Sequence, residues 1–145
     1  MKTFSLLLAG LGLFVLGGCG SKGDNETLPV YPVTGKVTLP NGQALRGARL
    51  RLVAKTGDPH AGGSDAFADV QTDGSFTILT MDNREGAMAG LYKVVVQPAT
   101  NNPKVSKEDL AFAQRSIPKP YQSEDSTTLE VEVKKEATTL DLKLK

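Results

Sequence analysis

The sequence has few of the residues that stiffen small domains covalently or make them reactive. Its 145 residues contain one cysteine, one histidine and no tryptophan, and aromatic residues make up 6%. A single cysteine excludes an internal disulfide, so the fold must depend on burial of apolar side chains. The scarcity of aromatic rings argues against a carbohydrate-binding platform built on exposed rings, since aliphatic side chains are enough to fill the core of a small sandwich.

The chain also lacks an excess of charge of either sign. Lysine and arginine number 17 and aspartate and glutamate number 16, and Lys2 is the only charge before Cys19. The part of the chain from Cys19 onward is therefore neutral. Nucleic-acid binding and polybasic attachment to a membrane surface both need a surplus of positive charge, so neither is predicted.

The N-terminus has the pattern of an export signal. A short basic start, Met1 to Thr3, precedes 13 uncharged and mainly apolar residues from Phe4 to Leu16. This run is too short to span a bilayer, but it fits the apolar core of a signal peptide. We therefore predict that residues 1–18 are a signal peptide.

The residues that follow the apolar run resemble a bacterial lipobox, in which an aliphatic residue and two small residues precede a cysteine. Here the four residues are Leu16, Gly17, Gly18 and Cys19. The resemblance implies that Cys19 carries lipid and that the chain is membrane-anchored. Because Gly20 and not aspartate follows Cys19, the resemblance favours the outer membrane over the inner membrane. An ordinary signal peptide or membrane helix with an incidental cysteine is the alternative.

Residues 19–30 are small and polar and are predicted to form a flexible tether. From residue 31 to residue 145 the apolar residues recur with a period of two, which is typical of half-buried strands. About seven inward rows are predicted, and they begin at Val33, Ala48, Ala66, Phe76, Tyr92, Leu129 and Leu140. The fold class is therefore predicted as all-β, a Greek-key antiparallel β-sandwich of about seven strands.

One connection departs from the strand pattern. Ser106 followed by acidic residues resembles a helix N-cap, so a short helical insertion is predicted within residues 105–115. Pro118 and Pro120 then interrupt strand pairing. Residues 97–126 thus form a long connection. Together with residues 56–69 it is a candidate contact region, and a disordered or merely covering loop is at least as strong an alternative.

Several short motifs resemble those of carboxypeptidase regulatory-like domains, which are related in fold to transthyretin. These motifs are Thr34-Gly35-Lys36-Val37, Gly42-Gln43-Ala44-Leu45, Gly47-Ala48-Arg49-Leu50-Arg51-Leu52, Thr72-Asp73-Gly74-Ser75-Phe76 and Gly90-Leu91-Tyr92-Lys93-Val94-Val95-Val96. The resemblance covers residues 31–145. It implies the sandwich fold and a non-catalytic binding or accessory module, because these motifs are structural.

No catalytic, metal or cofactor site is predicted. His60 with Asp58, Asp65 and Asp69 has no recognised ligand spacing, and residues 82–86 lack the framework of a calcium loop. Ser64 is not in a nucleophile elbow. The chain also lacks the second histidine and the Tyr-Arg-Gly-Ser end of the transthyretin-like hydrolases, so we expect no enzyme activity.

Two hypotheses for function follow from these features. The first is a lipid-anchored binding module that holds an envelope protein or a glycan through its loops or a sheet edge. The second is a structural, self-associating component of the cell envelope that has no specific ligand. A hydrolytic or metal-dependent enzyme has the least support.

Overall fold

The structure is a computed structural model that describes residues 28–55 and 65–145. The predicted signal peptide over residues 1–18, the lipobox from Leu16 to Cys19 and most of the predicted tether lie outside the described residues. His60, Asp58 and Ser64 lie outside them as well. The expectations for those residues therefore remain predictions.

The described part of the chain is mainly β-structure with one α-helix, in agreement with the predicted class. Its elements are β1 (Val33–Thr38), β2 (Ala48–Ala54), β3 (Ala66–Asp69), β4 (Ser75–Thr77), β5 (Leu79–Thr80), β6 (Gly90–Pro98), α1 (Lys107–Ser116), a 3-10 helix (Lys119–Gln122), β7 (Glu130–Val133) and β8 (Thr138–Lys143). The described residues contain eight strands, where about seven were predicted for the chain, because the row that begins at Phe76 continues past Ile78 into a second short strand.

The strands form two sheets. The three-stranded sheet has the order β4-β1-β8, and the five-stranded sheet has the order β5-β3-β2-β6-β7. The five-stranded sheet is antiparallel throughout. In the three-stranded sheet β1 pairs antiparallel with β4 but parallel with β8, with Val33 opposite Thr138.

The parallel pair corrects the prediction of a wholly antiparallel sandwich. A parallel pair needs a long crossover connection, since a short hairpin cannot return the chain in the same direction. Here the segment from β2 to β7 provides that crossover. Alternation of apolar residues is the same in both pairing modes, so the sequence pattern could not distinguish them.

Both sheets contribute to one hydrophobic core, so the arrangement is sandwich-like. The inward rows predicted from the period of two are buried, as Leu50 and Leu52 show on β2 and Val33 and Val37 show on β1. Tyr92 is fully buried, and its hydroxyl donates to the carbonyl oxygen of Met88 at 2.9 Å. The apolar alternation thus correctly identified the core face of each sheet.

β4 and β5 connect the two sheets along one side. They are separated only by Ile78, which is fully buried. β4 pairs with β1 in the three-stranded sheet, and β5 pairs with β3 in the five-stranded sheet. The chain therefore passes from one sheet to the other at Ile78, and the outer faces of both sheets meet along this side.

The long connection over residues 97–126 is structured and packs on the strands. The predicted helix is confirmed: Ser106 caps α1, with its hydroxyl accepting a hydrogen bond from the Asp109 N–H at 3.0 Å. Arg46 pairs with Asp109 at 2.7 Å and lies 4.2 Å from the centre of the Phe112 ring. Ile117 and Tyr121 are buried in the core. The connection therefore covers the core, as the alternative interpretation proposed.

Candidate functional site

Of the carboxylates that the sequence placed near His60, Asp65 and Asp69 lie among the described residues, and both are engaged in ion pairs. Asp69 accepts two hydrogen bonds from Arg49, at 2.7 and 3.0 Å, and a third from Asn102 at 2.9 Å. Asp65 pairs with Arg51 on the same sheet. Asp65 and Asp69 therefore take part in ion pairs on the outer face of the five-stranded sheet.

Residues 82–86 form a polar turn between β5 and the following chain. The hydroxyl of Thr80 donates to Asp82, and the Thr80 and Arg84 backbones are joined by a hydrogen bond of 2.9 Å. The Thr80 hydroxyl is the main cause of a lowered pKa for Asp82. The Asp82 carboxylate therefore stabilises the turn in which it lies.

Residues 28–55 and 65–145 contain no metal-binding cluster, no unsatisfied buried polar side chain and no membrane-spanning helix. No group of three or more histidine, cysteine, aspartate or glutamate side chains there is arranged to hold a metal ion. Each buried side-chain nitrogen or oxygen in this part has a hydrogen-bond partner. None of the helices within those two segments is long and apolar enough to cross a membrane.

A groove of about 970 Å³ lies over the outer face of the three-stranded sheet. We call it the hydroxyl groove. Its floor is formed by residues 34–36 of β1, 75–77 of β4 and 139–141 of β8, and one wall is formed by Phe67, Asp69, Gln71, Leu79 and Glu85. The bend at Ile78 brings this wall beside the floor.

The register of the strands arranges the floor of the hydroxyl groove into rows. Two outward-facing rows cross it, each with one member from β4, β1 and β8: Thr77, Thr34 and Thr139 in the first, and Ser75, Lys36 and Asp141 in the second. Neighbouring strands lie about 4.8 Å apart, and the two rows are about 6.7 Å apart along the strands. The groove thus presents a regular array of short polar groups.

The threonine row is available for binding. Among the described residues, the hydroxyls of Thr34, Thr77 and Thr139 have no intramolecular hydrogen-bond partner. All three residues are exposed. Each hydroxyl can donate one hydrogen bond and accept others, so the row suits a ligand that itself carries many hydroxyl or amide groups.

Gly35 lies between Thr34 and Lys36 in the sequence, and a side chain at this position would point toward the core. A Cβ atom there would lie 2.1 Å from the Leu140 carbonyl oxygen and 2.7 Å from Cζ of Phe76. The closeness of β8 and of the Phe76 ring therefore requires glycine at this position. This packing holds the three strands, and the rows above them, in fixed register.

The charges around the groove nearly balance. Lys36 has no carboxylate within ion-pair distance among the described residues, while Asp141 pairs with Lys143 at 3.4 Å. The pKa of Asp73 is lowered mainly by the hydroxyl of Ser75 and also by nearby Lys36. The groove therefore presents the Lys36 ammonium group and the carboxylates of Asp69, Glu85 and Asp141 beside neutral hydroxyl groups, an arrangement that suits a ligand with many hydroxyl or amide groups.

The groove was not among the predicted contact regions, which were residues 56–69 and 97–126. Residues 56–64 lie outside the described residues, Asp65 to Asp69 lead into and form β3, and the longer connection covers the core. The outward threonines of β1 and β8 were visible in the sequence as alternating polar residues. Only the parallel pairing of these strands aligns them, so no local signal predicted the row.

Comparison of the chain with protein-family models, with curated proteins and with solved structures found no match. The assignment of the site therefore rests on its geometry and on the residues themselves.

Proposed function

We propose that this chain is a lipid-anchored, non-catalytic binding module of the bacterial cell envelope, and that its ligand occupies the hydroxyl groove. The observation that carries the proposal is the row of the Thr34, Thr77 and Thr139 hydroxyls on one sheet, which have no partner among the described residues. The choice between an envelope protein and a glycan follows from the chemistry of that row. Hydroxyl and ammonium donors beside carboxylate acceptors favour a glycan strand, because its own hydroxyls can satisfy both kinds of group.

The anchor is supported by the basic start, the apolar run and the lipobox that ends at Cys19. Two or more acyl chains on one cysteine give stable attachment to a bilayer. We expect that cells fed labelled palmitate incorporate the label into the full-length chain and that Cys19→Ser abolishes both the label and membrane fractionation. Label retained in Cys19→Ser would contradict the anchor. The outer membrane is the proposed location because Gly20 follows Cys19.

A glycan bound here would be held by hydrogen bonds and not by stacking on aromatic rings. The aromatic ring on the groove wall, Phe67, already lies 5.3 Å from the guanidinium carbon of Arg49. Phe76 is buried in the core. Recognition then depends on the position of each hydroxyl, which the sheet fixes.

The test of the groove uses the lipidated full-length protein in detergent and fluorescent soluble peptidoglycan fragments as the probe. The double variant Thr34→Val/Thr139→Val keeps the shape and strand preference of threonine but removes two hydroxyls, and we expect about tenfold weaker binding. Thr100→Val, which changes an exposed threonine outside the groove, is the matched control and should bind as the parent chain does. Equal binding by the double variant and the control would contradict the groove.

We also propose that the domain is a Greek-key sandwich of the carboxypeptidase regulatory-like type. The sequence motifs named above support it, as do two sheets that share one core. The short turn before β4 contains the Thr72-Asp73-Gly74 motif, in which Asp73 accepts a hydrogen bond from the Ser75 N–H at 2.9 Å. An experimental structure in which the strands connect in another order would contradict this assignment.

Self-association is a second candidate function, favoured by the free edge of β8. In the described part of the chain β8 pairs only with β1, through N–H groups such as that of Leu144, which donates to Thr38 at 2.9 Å. Alternate residues such as Lys143 therefore direct their N–H groups outward. Lys143→Pro should reduce concentration-dependent association in sedimentation, whereas Lys143→Ala should not. A strict monomer would exclude this function.

A further inference from the structure

The exposed large apolar side chains of the described residues are few. They are Met81 at 69% exposure, Leu28 at 48% and Leu91 at 42%. Single exposed apolar residues are common on protein surfaces, but several at one end of a domain indicate contact with another apolar surface.

The three residues lie at the end of the domain where the chain enters from the predicted tether. Tyr31 and Ala87 exchange backbone hydrogen bonds of 2.8 and 3.0 Å. Nη1 of Arg84 donates to the carbonyl oxygen of Leu28 at 3.2 Å. The turn that carries Met81 therefore lies directly beside Leu28.

The same end contains the start of β6 and the connection between β7 and β8. Gly90 lies opposite Val133, which places Leu91 near this connection. The connection then leads to Thr138, whose N–H donates to the Pro32 carbonyl oxygen at 2.9 Å. We call this surface the tether end and define it as Leu28, residues 80–87, Leu91 and residues 134–137.

The length of chain before Leu28 limits how far the tether end can be from the lipid. Cys19 and Leu28 are separated by nine residue steps, which span at most about 30 Å even when fully extended. We propose that Leu28 and Met81 insert into the interfacial region of the bilayer that holds the lipid on Cys19, so that the domain stands on its tether end. This inference rests on the proposed lipid anchor.

The charges of the tether end indicate whether the contact needs anionic lipid. Arg84 is paired with Asp82 at 2.8 Å. Lys134 and Lys135 are followed by Glu136, and Glu85 adds another carboxylate. Because positive and negative charges nearly balance, the contact depends on apolar insertion and not on anionic lipid. It should therefore form on neutral phosphatidylcholine vesicles and persist at high salt.

The contact is too small to hold an unanchored domain on a membrane. Two or three inserted side chains bury little area, whereas the acyl chains keep the tether end at a high local concentration near the bilayer. The unlipidated chain is therefore expected to remain in solution even when Leu28 and Met81 are intact. The anchor supplies attachment, and the apolar side chains supply orientation.

The absence of tryptophan from the chain provides a clean test. Met81→Trp places a single indole at the tether end of the full-length, lipidated protein in phosphatidylcholine vesicles. Thr72→Trp places one at an exposed turn beyond the other end of β1 and serves as the matched control. Lipids brominated in the acyl chain should quench the indole at position 81 at least twofold more than the indole at position 72, with no change at high salt.

The outcomes separate the inference from the anchor on which it rests. Equal quenching at positions 81 and 72 in protein with lipid on Cys19 would overturn the insertion and leave the anchor intact. Absence of lipid on Cys19 would overturn both. Preferential quenching at position 81 that disappears in Leu28→Ser would support insertion through the two side chains together.

Discussion

The two sheets share one core, but the polar side chains on their outer faces differ in whether they have partners within the molecule. On the five-stranded sheet the positively charged side chains form ion pairs with carboxylates from neighbouring segments. Arg49 of β2 pairs with Asp69 at 2.7 Å, and Lys55, which follows β2, pairs with Glu130 at 3.0 Å. On the three-stranded sheet, within the described residues, the hydroxyls of Thr34, Thr77 and Thr139 have no intramolecular partner.

This difference indicates which sheet can contribute more free energy to the binding of a ligand. A polar group that is already paired must break its contact before it can bind something else, whereas an unpaired hydroxyl exchanges only with water. The charged side chains of the five-stranded sheet therefore stabilise the fold, whereas the hydroxyls of the three-stranded sheet are open to the ligand proposed above. The predictions below test that comparison.

The largest effect should come from the core that the sheets have in common. Leu52 of β2 and Leu142 of β8 are both buried, one in each sheet. We expect Leu52→Ala and Leu142→Ala each to lower the free energy of unfolding by about 3 kcal/mol, in one cooperative transition. Urea denaturation followed by circular dichroism measures it. Two separate transitions would show that the sheets are independent.

A smaller effect is expected at Gly35, which allows β1 to approach β8 closely. The added methyl group of Gly35→Ala would meet the Leu140 carbonyl oxygen and the Phe76 ring, so we expect a loss of about 2 kcal/mol in unfolding free energy. Lys36→Ala, one residue away and directed to solvent, is the control and should be nearly neutral. Comparable stability of both variants would mean that the strands can move apart at no cost.

The ion pairs of the five-stranded sheet should contribute less. Arg49 and Asp69 are 36% and 28% exposed, so solvent screening limits the pair to below about 1 kcal/mol. A double-mutant cycle with Arg49→Gln and Asp69→Asn should give a coupling energy of this size, and the coupling should shrink as salt is added. A coupling energy that is independent of salt would contradict the interpretation of Arg49–Asp69 as an ion pair screened by solvent.

The smallest effect concerns the two exposed turn carboxylates. The pKa values of Asp73 and Asp82 are lowered, mainly by hydrogen bonds from the hydroxyls of Ser75 and Thr80. The unfolded chain therefore binds more protons, so their stabilisation is present above about pH 4 and is lost as the pH falls through the folded pKa. Ser75→Ala should raise the pKa of Asp73 in a carboxyl NMR titration and leave that of Asp82 unchanged. A change in both pKa values would indicate a shared, long-range cause.

Local patterns in the sequence predicted the core and the helix but not the groove. The inward row of Leu50 and Leu52 follows from a period of two, and α1 follows from the cap at Ser106. Both signals lie within a few residues of the structure they specify. The row of Thr77, Thr34 and Thr139 depends instead on which strands become neighbours, and alternation contains no information about that.

The same limit explains the corrected features. Parallel and antiparallel partners of β1 need the same inward Val33 and Val37, so the pairing with β8 could not be inferred. The passage between sheets at Ile78 occurs within one continuous apolar alternation. Cys19 has the strongest local signal in the chain and lies outside the described residues, so its lipidation remains a prediction.

The parallel pairing of β1 with β8 also has a consequence for when the domain can form. Val33 cannot meet Thr138 until the whole intervening segment has been synthesised. Contacts between residues so distant in the chain raise the contact order, which slows folding of β-rich domains to milliseconds or longer. The pairing of β1 with β8 can therefore form only after β8 has been synthesised, and a chain still emerging from the ribosome lacks the complete floor of the hydroxyl groove.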